Sequence, residues 1–302
     1  MLVLDMHCDS LQRVNANYGL VSEYNVSKNN SFLQFFAICT PRIGRSPEAR
    51  RRSVMHYLDV YAYECERLGL LKVEDARGLY YATDNIMPAA MFTIEGGGGL
   101  FADSEELFTL YRAGLRVMGL AWDTNELATS AFDENDEGLT DAGVAMAIRC
   151  AELGITLDVS HLSDKSFYQL SEIYPLPLIA THSNYREICN NPRNLTLDMA
   201  KKIISRGGVI GLNLYPSFLS ESKNASLDDV IRHIDFHLEH FGDNGLSFGF
   251  DIDGTNGKYP IGIDESSSIH DRVIDELIKR YPEDTVCRIA GENAKDFLLG
   301  VL

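Results

Sequence analysis

Short apolar segments alternate with longer segments of helical periodicity along most of the chain. Short runs rich in β-branched and aromatic residues are typical of buried strands, whereas apolar residues that recur every three or four positions indicate amphipathic helices. The pattern predicts strands at residues 2–6, 33–39, 90–94, 116–120, 156–160, 178–181, 209–213 and 247–250. It predicts helices at residues 46–68, 104–113, 141–153, 163–173, 197–205, 227–241, 270–280 and 284–299.

The residues at the ends of these segments agree with the predicted helices. Ser163 and Thr196 are suitable N-caps, and glycines such as Gly69 and Gly154 follow helices where a left-handed residue is expected. Strands that alternate with helices in this way predict a (β/α)8 barrel, with a doubly wound open sheet as the alternative. No long linker and no internal repeat interrupts the pattern, so we expect a single catalytic domain over residues 1–302.

Composition and charge narrow the classes of function. The 302 residues include 44 acidic and 27 basic side chains, which gives a formal net charge of -17. An acidic surface repels phosphate backbones and anionic lipids, so we expect neither a nucleic-acid nor a membrane partner. The six cysteines lack CxxC spacing, and neither a signal peptide nor a membrane-spanning apolar run is visible. The sequence therefore predicts a cytoplasmic protein with reduced thiols.

Ionisable residues stand directly after the carboxyl ends of predicted strands: His7, Asp9, Glu95, His161, His182 and Asp251. Barrel strands bring such residues to one rim, where enzymes of this fold place their active sites. Three carboxylates and three histidines in one buried place would be costly unless divalent cations neutralised the charge. Imidazole and carboxylate donors without a committed thiolate suit Zn²⁺, and also Mn²⁺ or Co²⁺. Each motif alone is a weak signal, and their shared placement carries the prediction.

The remaining polar features are assigned to the scaffold or to the walls of the site. Five histidines in helical segments or at a helix start are assigned to packing or to the surface: His56, His233, His237, His240 and His270. The insertions at residues 9–31 and 122–139 follow strands on the predicted active-site face. We expect them to wall the pocket, with ordinary variable surface loops as the alternative.

Six motifs in a fixed order resemble the membrane (renal) dipeptidase family. They are DMHCD at 5–9, IEGG at 94–97, DVSH at 158–161, THSN at 181–184, PRN at 192–194 and FDIDG at 250–254. The resemblance covers nearly the whole chain. It implies a (β/α)8 barrel of the amidohydrolase-like group and a zinc dipeptidase, in a family of which some members accept a D-residue at the C-terminal position. A homodimer is implied by the resemblance alone.

The resemblance also implies roles for individual residues. His7 and Asp9 match the ligands of one metal ion, and His161 and His182 match those of the other. Glu95 would bridge the two ions, which a carboxylate with two oxygens can do.

Three further positions match residues that act on the substrate. Asp251 matches the catalytic acidic residue, Arg193 the anchor of the substrate's terminal carboxylate, and Tyr215 a pocket tyrosine. A guanidinium suits that anchor because it binds a carboxylate through two parallel hydrogen bonds.

The chain departs from the mammalian pattern beside the predicted site. Trp122 stands where mammalian members have a histidine that holds the substrate, so another group such as Asn125 is expected to supply a polar contact. Glycine also occupies positions 98 and 99, where a larger residue is common. These differences leave open a binuclear hydrolase of another amide, lactam or ester. A non-catalytic metal- or peptide-binding barrel is the remaining alternative, because a fold alone does not imply a function.

Overall fold

The computed structural model describes residues 1–12, 31–44, 46–100, 104–222, 224–263 and 268–302. The strands in these ranges are β1 (Val3–Cys8), β2 (Phe32–Cys39), β3 (Leu71–Lys72), β4 (Ala89–Glu95), β5 (Val117–Gly119), β6 (Thr156–Asp158), β7 (Ile179–Ala180), β8 (Val209–Leu212) and β9 (Leu246–Phe248).

The α-helices of the described ranges cover Thr40–Ile43, Pro47–Leu68, Ala76–Asp84, Ser104–Arg112, Asp141–Leu153, Asp164–Ile173, Leu197–Ser205, Pro216–Leu219, Leu227–Phe241, Ile269–Arg280, Glu283–Cys287 and Asn293–Val301. A 3-10 turn spans Ser10–Gln12, and a π-helical turn spans Arg288–Glu292. Within the described ranges, no helix is both long and apolar enough to cross a bilayer.

The strands form a closed parallel barrel. Their order is β2-β1-β9-β8-β7-β6-β5-β4, and β2 pairs with β4 to close the ring. The closing register runs without a break from Leu33 opposite Ala89 to Cys39 opposite Glu95. The short β3 pairs with the beginning of β4. The predicted (β/α)8 barrel is confirmed, and the open sheet is excluded because both edges are paired.

Two apolar layers follow from the alternation of side chains along the strands. The outer cluster lies between strands and helices, where Val3 and Cys8 of β1 pack with helix residues such as Val54. The inner cluster contains Leu4 and Met6 of β1, along with residues of most other strands. Strands that are buried on both faces read as nearly continuous apolar runs, which is why they could be recognised in the sequence.

The helix ends agree with the sequence-based expectation at the predicted caps. Ser163 Oγ accepts a hydrogen bond from Ser166 N, and Thr196 Oγ1 accepts one from Met199 N. Gly69 ends its helix in the left-handed conformation with φ of 67°.

Several stretches of secondary structure differ from the prediction, among them the short helices Thr40–Ile43 and Pro216–Leu219, which were not expected. Strand β3 and the helix Ala76–Asp84 were not expected, and the predicted helix at 284–299 is broken by the π-helical turn. Strand β3 is only two residues long, so it leaves no periodic pattern in the sequence. Asp75 caps the unexpected helix by accepting from Gly78 N at 2.8 Å.

Candidate active site

The carboxyl ends of the barrel strands bring the predicted ligands together. His7 lies in β1 and Asp9 directly follows it, while Glu95 is the last residue of β4. His161 and His182 follow β6 and β7. All of these side chains are buried or nearly so, which keeps bulk water from screening their charges.

Glu95 lies between the histidines. Its Oε1 is 2.8 Å from His161 Nε2, 3.2 Å from His182 Nε2 and 3.7 Å from His7 Nε2. The two Nε2 atoms of His161 and His182 are 3.0 Å apart. Glu95 Oε2 and His7 Nε2 are buried and have no hydrogen-bond partner in the part of the chain that the structure describes. Because an unsatisfied buried polar atom is costly, these two atoms indicate a site built for a bound cation.

The aspartates lie on the other side of His7. Its Nε2 is 4.0 Å from Asp9 Oδ1 and 3.8 Å from Asp251 Oδ1. Potential ligand atoms of His7, Asp9 and Asp251 lie within 4.8 Å of one another, as do those of His7, Glu95 and His182. Imidazole nitrogens and carboxylate oxygens are suitable donors for Zn²⁺ and similar ions. The arrangement therefore fits divalent metal ions, and it groups Asp251 with His7 and Asp9 as a further candidate ligand.

The electrostatics of the cluster keep Glu95, His161 and His182 in metal-binding protonation states. Burial opposes charge on Glu95, but His7 and His161 outweigh it and hold the Glu95 pKa well below its usual range. Burial, together with the positive charge of Arg193, lowers the pKa of His161 to about 4. Burial also lowers the pKa of His182 well below its usual value. Neutral imidazoles and an ionised carboxylate are the forms that ligate metal.

For His7 the balance between burial and charge is reversed. Burial alone would lower its pKa, but the carboxylates of Glu95, Asp251 and Asp9 together raise it. The negative charge on this side of the cluster therefore exceeds what one histidine can neutralise, which is a further reason to expect bound cations.

Asp158 orients His182 through Thr181. The Thr181 hydroxyl donates to Asp158 Oδ2 and lies 2.7 Å from His182 Nδ1. Asp158 Oδ1 accepts from the backbone N–H groups of Ser160 and Thr181, both at 2.9 Å. Because the hydroxyl proton is given to Asp158, Thr181 Oγ1 accepts from His182 Nδ1–H, which leaves Nε2 unprotonated and able to ligate a cation. This role of Asp158 was not predicted from the sequence, although a carboxylate in an otherwise apolar strand indicates a buried polar contact.

Asp5 braces two strand ends that carry site residues. Its Oδ1 accepts hydrogen bonds from His7 N and Phe250 N, both at 3.1 Å. Its Oδ2 accepts from His270 Nε2 at 2.8 Å, and both side chains are fully buried. The β1–β2 register shifts between Asp5 and Cys8. Such an irregularity re-aims side chains, which here separates Asp5 from the inward-facing His7.

The histidines that were assigned to packing or to the surface lie away from the metal ligands. His56 and His240 are exposed, whereas His233 and His237 are buried and hydrogen-bonded to backbone carbonyls. His270 is buried beside Asp5 and supports the site without entering it.

Two site residues adopt backbone conformations that side chains rarely take. His161 has φ of 72° and Asp251 has φ of 58°. Such strain persists only where surrounding contacts impose it, and it is common at functional sites. Gly254 allows the second conformation, since a Cβ there would lie 1.8 Å from Asp251 Oδ1 and 2.8 Å from Asp9 Oδ2.

A cavity of about 300 Å³ opens beside the cluster. It is lined by Trp122, Asp123, Ser130, Phe132, His161, Tyr215, Phe218, Asp251, Gly254 and Asn256. Trp122 and Tyr215, which were predicted to contact the substrate, both line this cavity, and that contact stays a prediction. The insertion at 122–139 forms part of the wall, as expected, while most of the insertion at 9–31 lies outside the described residues.

Arg193 is buried beneath this region. Its Nη1 donates to Ser183 Oγ at 2.8 Å, and its Nη2 donates to the His182 carbonyl at 2.9 Å. Its Nε has no hydrogen-bond partner among the described residues, and burial lowers its pKa to about 10. The guanidinium stays charged at neutral pH and lies 5.7 Å from the centre of the Phe218 ring, which lines the cavity.

Asn125 has a different place from the one proposed for it. Its Nδ2 donates to the carbonyls of Leu120 and Asp123, and its Oδ1 accepts from Leu127 N at 2.8 Å. It is not among the residues that line the cavity, so its assignment as a substrate contact stays a prediction without support from this geometry. Its bulk explains a neighbouring glycine, because a Cβ at Gly98 would lie 2.5 Å from Asn125 Cγ.

Comparison with known proteins identifies the family. The sequence model described as membrane dipeptidase, Peptidase family M19, matches residues 2–296. The chain belongs to the membrane dipeptidase family. This confirms the resemblance carried by the six motifs.

The curated relatives of this chain are longer than the regions that match it. Dipeptidase 3 of Mus musculus is 26% identical over 291 residues, which cover 93% of this chain and 58% of that protein. A protein of the pqqA 5′ region of Klebsiella pneumoniae is 33% identical over 172 residues, which cover 53% of this chain and 64% of that protein. The chain thus spans roughly three fifths of these two relatives.

Solved structures share the fold of this M19 chain. A metallo peptidase from Rhodobacter sphaeroides, liganded with a phosphinate mimic of the dipeptide L-Ala-D-Ala, superposes with a TM-score of 0.87 at 24% identity. The alignment covers 100% of this chain and 99% of that one. A metallo peptidase of family M19, named dipeptidase AC, gives a TM-score of 0.86 at 24% identity, with 100% and 98% coverage.

Proposed function

We propose that this chain is a metal-dependent dipeptidase that hydrolyses the peptide bond of dipeptides, including L-D dipeptides. The observation that carries the proposal is the convergence of His7, Glu95, His161 and His182 beside a small cavity, with Arg193 buried beneath it. Membership in the M19 family supports the reaction class. The bound dipeptide mimic of the Rhodobacter sphaeroides protein supports the choice of substrate.

We propose that two divalent ions bind here, with Zn²⁺ the expected metal and Mn²⁺ or Co²⁺ the alternatives. His7 and Asp9 would hold one ion, and His161 and His182 the other. Glu95 would bridge them, which its position between the histidines supports. Bound ions of this kind lower the pKa of a water molecule and polarise a carbonyl.

The protein's own groups then handle protons and orientation. Asp251 is partly exposed, lies 3.8 Å from His7 Nε2 and accepts from Asn213 Nδ2 at 3.3 Å. In the proposed reaction its carboxylate takes a proton from the attacking water and delivers it to the leaving amine nitrogen.

Arg193 and the aromatic cavity wall are proposed to select a dipeptide. The guanidinium is held by Ser183 and the His182 carbonyl, so its direction is set before the substrate arrives. It would bind the terminal carboxylate of the substrate. The cavity of about 300 Å³ is at the small end of the usual size of ligand pockets, which suits a substrate of two residues.

The test is hydrolysis before and after metal removal. Chelator-treated protein is expected to lose activity on L-Ala-L-Ala and L-Ala-D-Ala, and to regain it with Zn²⁺, Mn²⁺ or Co²⁺. Elemental analysis should give two ions per chain in the active form. Full activity of the metal-free protein would contradict the mechanism, and equal turnover of substrates without a free carboxylate would contradict the choice of dipeptides.

We also propose a cytoplasmic protein without a nucleic-acid or membrane partner. The formal charge of -17 supports this, and so do the free thiols of the six cysteines. The homodimer implied by the family resemblance stays a prediction, which light scattering on the purified protein would check.

A further inference from the structure

The wall of the cavity includes aromatic rings and the carboxylate of Asp123, to which the reaction proposed above gives no role. We propose that Asp123, together with the rings of Trp122 and Phe132, forms a subsite for a positively charged side chain of the substrate. The proposal rests on the dipeptidase function and names a substrate class for it: dipeptides that carry a lysine- or arginine-like residue.

Asp123 has an unused hydrogen-bonding atom. It lines the cavity, and its Oδ1 is buried without a hydrogen-bond partner in the described part of the chain. Its backbone is held in place because its carbonyl accepts from Asn125 Nδ2 at 3.2 Å. The half-buried residue gives the cavity a negative charge, and an ammonium or guanidinium group bound there would be attracted to its carboxylate.

The aromatic rings that line the same cavity suit the rest of a basic side chain. Phe132 lies 6.5 Å from Phe218 between ring centres, and Trp122 lies 5.9 Å from the His161 ring. Aromatic faces attract cations, and they also pack against the methylene stem of lysine or arginine. An aromatic wall with one carboxylate therefore recognises both parts of such a side chain.

The charges that line the cavity have one sign. Asp123 and Asp251 contribute carboxylates, and no lysine or arginine lines the cavity among the described residues. Arg193 lies beneath, and its Nη groups are directed at Ser183 and the His182 carbonyl. Asp251 is assigned to proton transfer, so Asp123 is the carboxylate available for binding.

The α-ammonium of any dipeptide offers the same chemistry as a basic side chain, so the experiment must separate the two. The metal-loaded protein is assayed with Lys-Ala, Ala-Lys and the matching norleucine dipeptides, in which a hydrogen atom replaces the ammonium. At least one lysine dipeptide should exceed its norleucine partner roughly ten- to a hundredfold in kcat/KM, the range of a charged hydrogen bond. A ratio near one in both positions would overturn the proposal.

The variant Asp123→Asn keeps the shape of the side chain and removes its charge. It should abolish the preference for lysine while leaving kcat/KM for the norleucine dipeptides within about threefold of the wild type. Glu134→Gln removes one exposed carboxylate from the same insertion, outside the cavity lining, and should retain the preference. An equal loss on all four dipeptides in Asp123→Asn would assign Asp123 to the α-ammonium or to the loop, and would overturn the subsite.

The outcome also separates this proposal from the proposed function. If the metal-loaded wild type hydrolyses none of the four dipeptides, nor L-Ala-L-Ala and L-Ala-D-Ala, the dipeptidase function fails. If it hydrolyses them without regard to side-chain charge, only the subsite fails. The wild-type comparison stands by itself even if Asp123→Asn does not fold.

Discussion

Asp5 Oδ2 accepts a hydrogen bond from His270 Nε2 at 2.8 Å, and neither side chain is exposed to solvent. The other oxygen of Asp5 accepts from the backbone N–H groups of His7 and Phe250. One carboxylate therefore links a predicted metal ligand, the residue before Asp251 and a helix outside the barrel. Its effect on the site is geometric, because it restrains the backbone at two strand ends.

Two substitutions distinguish the contacts of Asp5 to the strand ends from its contact with His270. Asp5→Ala removes all three hydrogen bonds and is expected to lower kcat at least tenfold with little change in KM. His270→Gln removes only the outer contact and should lower the free energy of unfolding by about 1–3 kcal/mol with a smaller effect on kcat. Steady-state kinetics and urea unfolding of both variants check this. If the two variants lose kcat equally, the contacts of Asp5 to the strand ends add nothing to its contact with His270, and the prediction fails.

Asp158→Asn should weaken metal binding without removing a ligand. The amide nitrogen that replaces Asp158 Oδ2 cannot accept the Thr181 hydroxyl proton, so His182 loses the contact that sets its tautomer. We expect a 10- to 100-fold loss of metal affinity, measured by competition with a chelator. Asp164→Asn is the matched control, because Asp164 pairs with Arg186 at the surface. Unchanged metal affinity in Asp158→Asn would show that the hydrogen bonds from Asp158 through Thr181 do not affect metal binding by His182.

Asp251→Asn distinguishes a proton-transfer group from a metal ligand. If Asp251 acts as general acid and base, removing its charge should lower kcat about 10²- to 10⁴-fold, with both ions retained. Its 3.8 Å separation from His7 Nε2 makes the metal count informative. Elemental analysis that finds fewer ions per chain in this variant would assign Asp251 to the ligands.

Two buried histidines should make the fold sensitive to acid. Burial lowers the pKa values of His233 and His237 to about 4, so the unfolded chain binds their protons more readily. Stability is complete above the unfolded value of about 6.5 and falls as pH decreases toward 4. Between pH 7 and pH 5 each histidine should account for about 2 kcal/mol of lost stability.

Comparing the wild type with single variants separates the pH effect of these two histidines from that of the candidate metal ligands. The loss of unfolding free energy between pH 7 and pH 5 should be smaller in His233→Gln than in the wild type, and unchanged in His240→Gln, whose parent side chain is exposed. Urea denaturation at the two pH values provides the comparison. An equal pH dependence in wild type and His233→Gln would contradict the prediction.

Much of the site could be predicted because the carboxyl ends of all strands in a parallel barrel lie at the same rim. Any ionisable residue directly after a strand reaches the same rim, so His7, Glu95, His161 and His182 could be grouped before their distances were known. Arg193 and Tyr215 depended on the family motifs, because they lie farther from strand ends. Asn125 bonds within its own loop instead of lining the cavity, because distance along the chain from Trp122 does not determine which way a loop side chain points.

The sequence by itself determined the barrel, its helix caps and the identity of the grouped ligands, since each depends on local pattern and strand order. Only the tertiary structure decided which polar atoms meet. The irregularity in β1 turns Asp5 toward His270, and β3 exists only through pairing with β4. The Oδ1 atom of Asp123 likewise has no hydrogen-bond partner among the described residues, which only the folded arrangement of its loop could decide. Hydrogen bonds act over about 3 Å, so contacts between distant segments depend on folded geometry that local patterns do not encode.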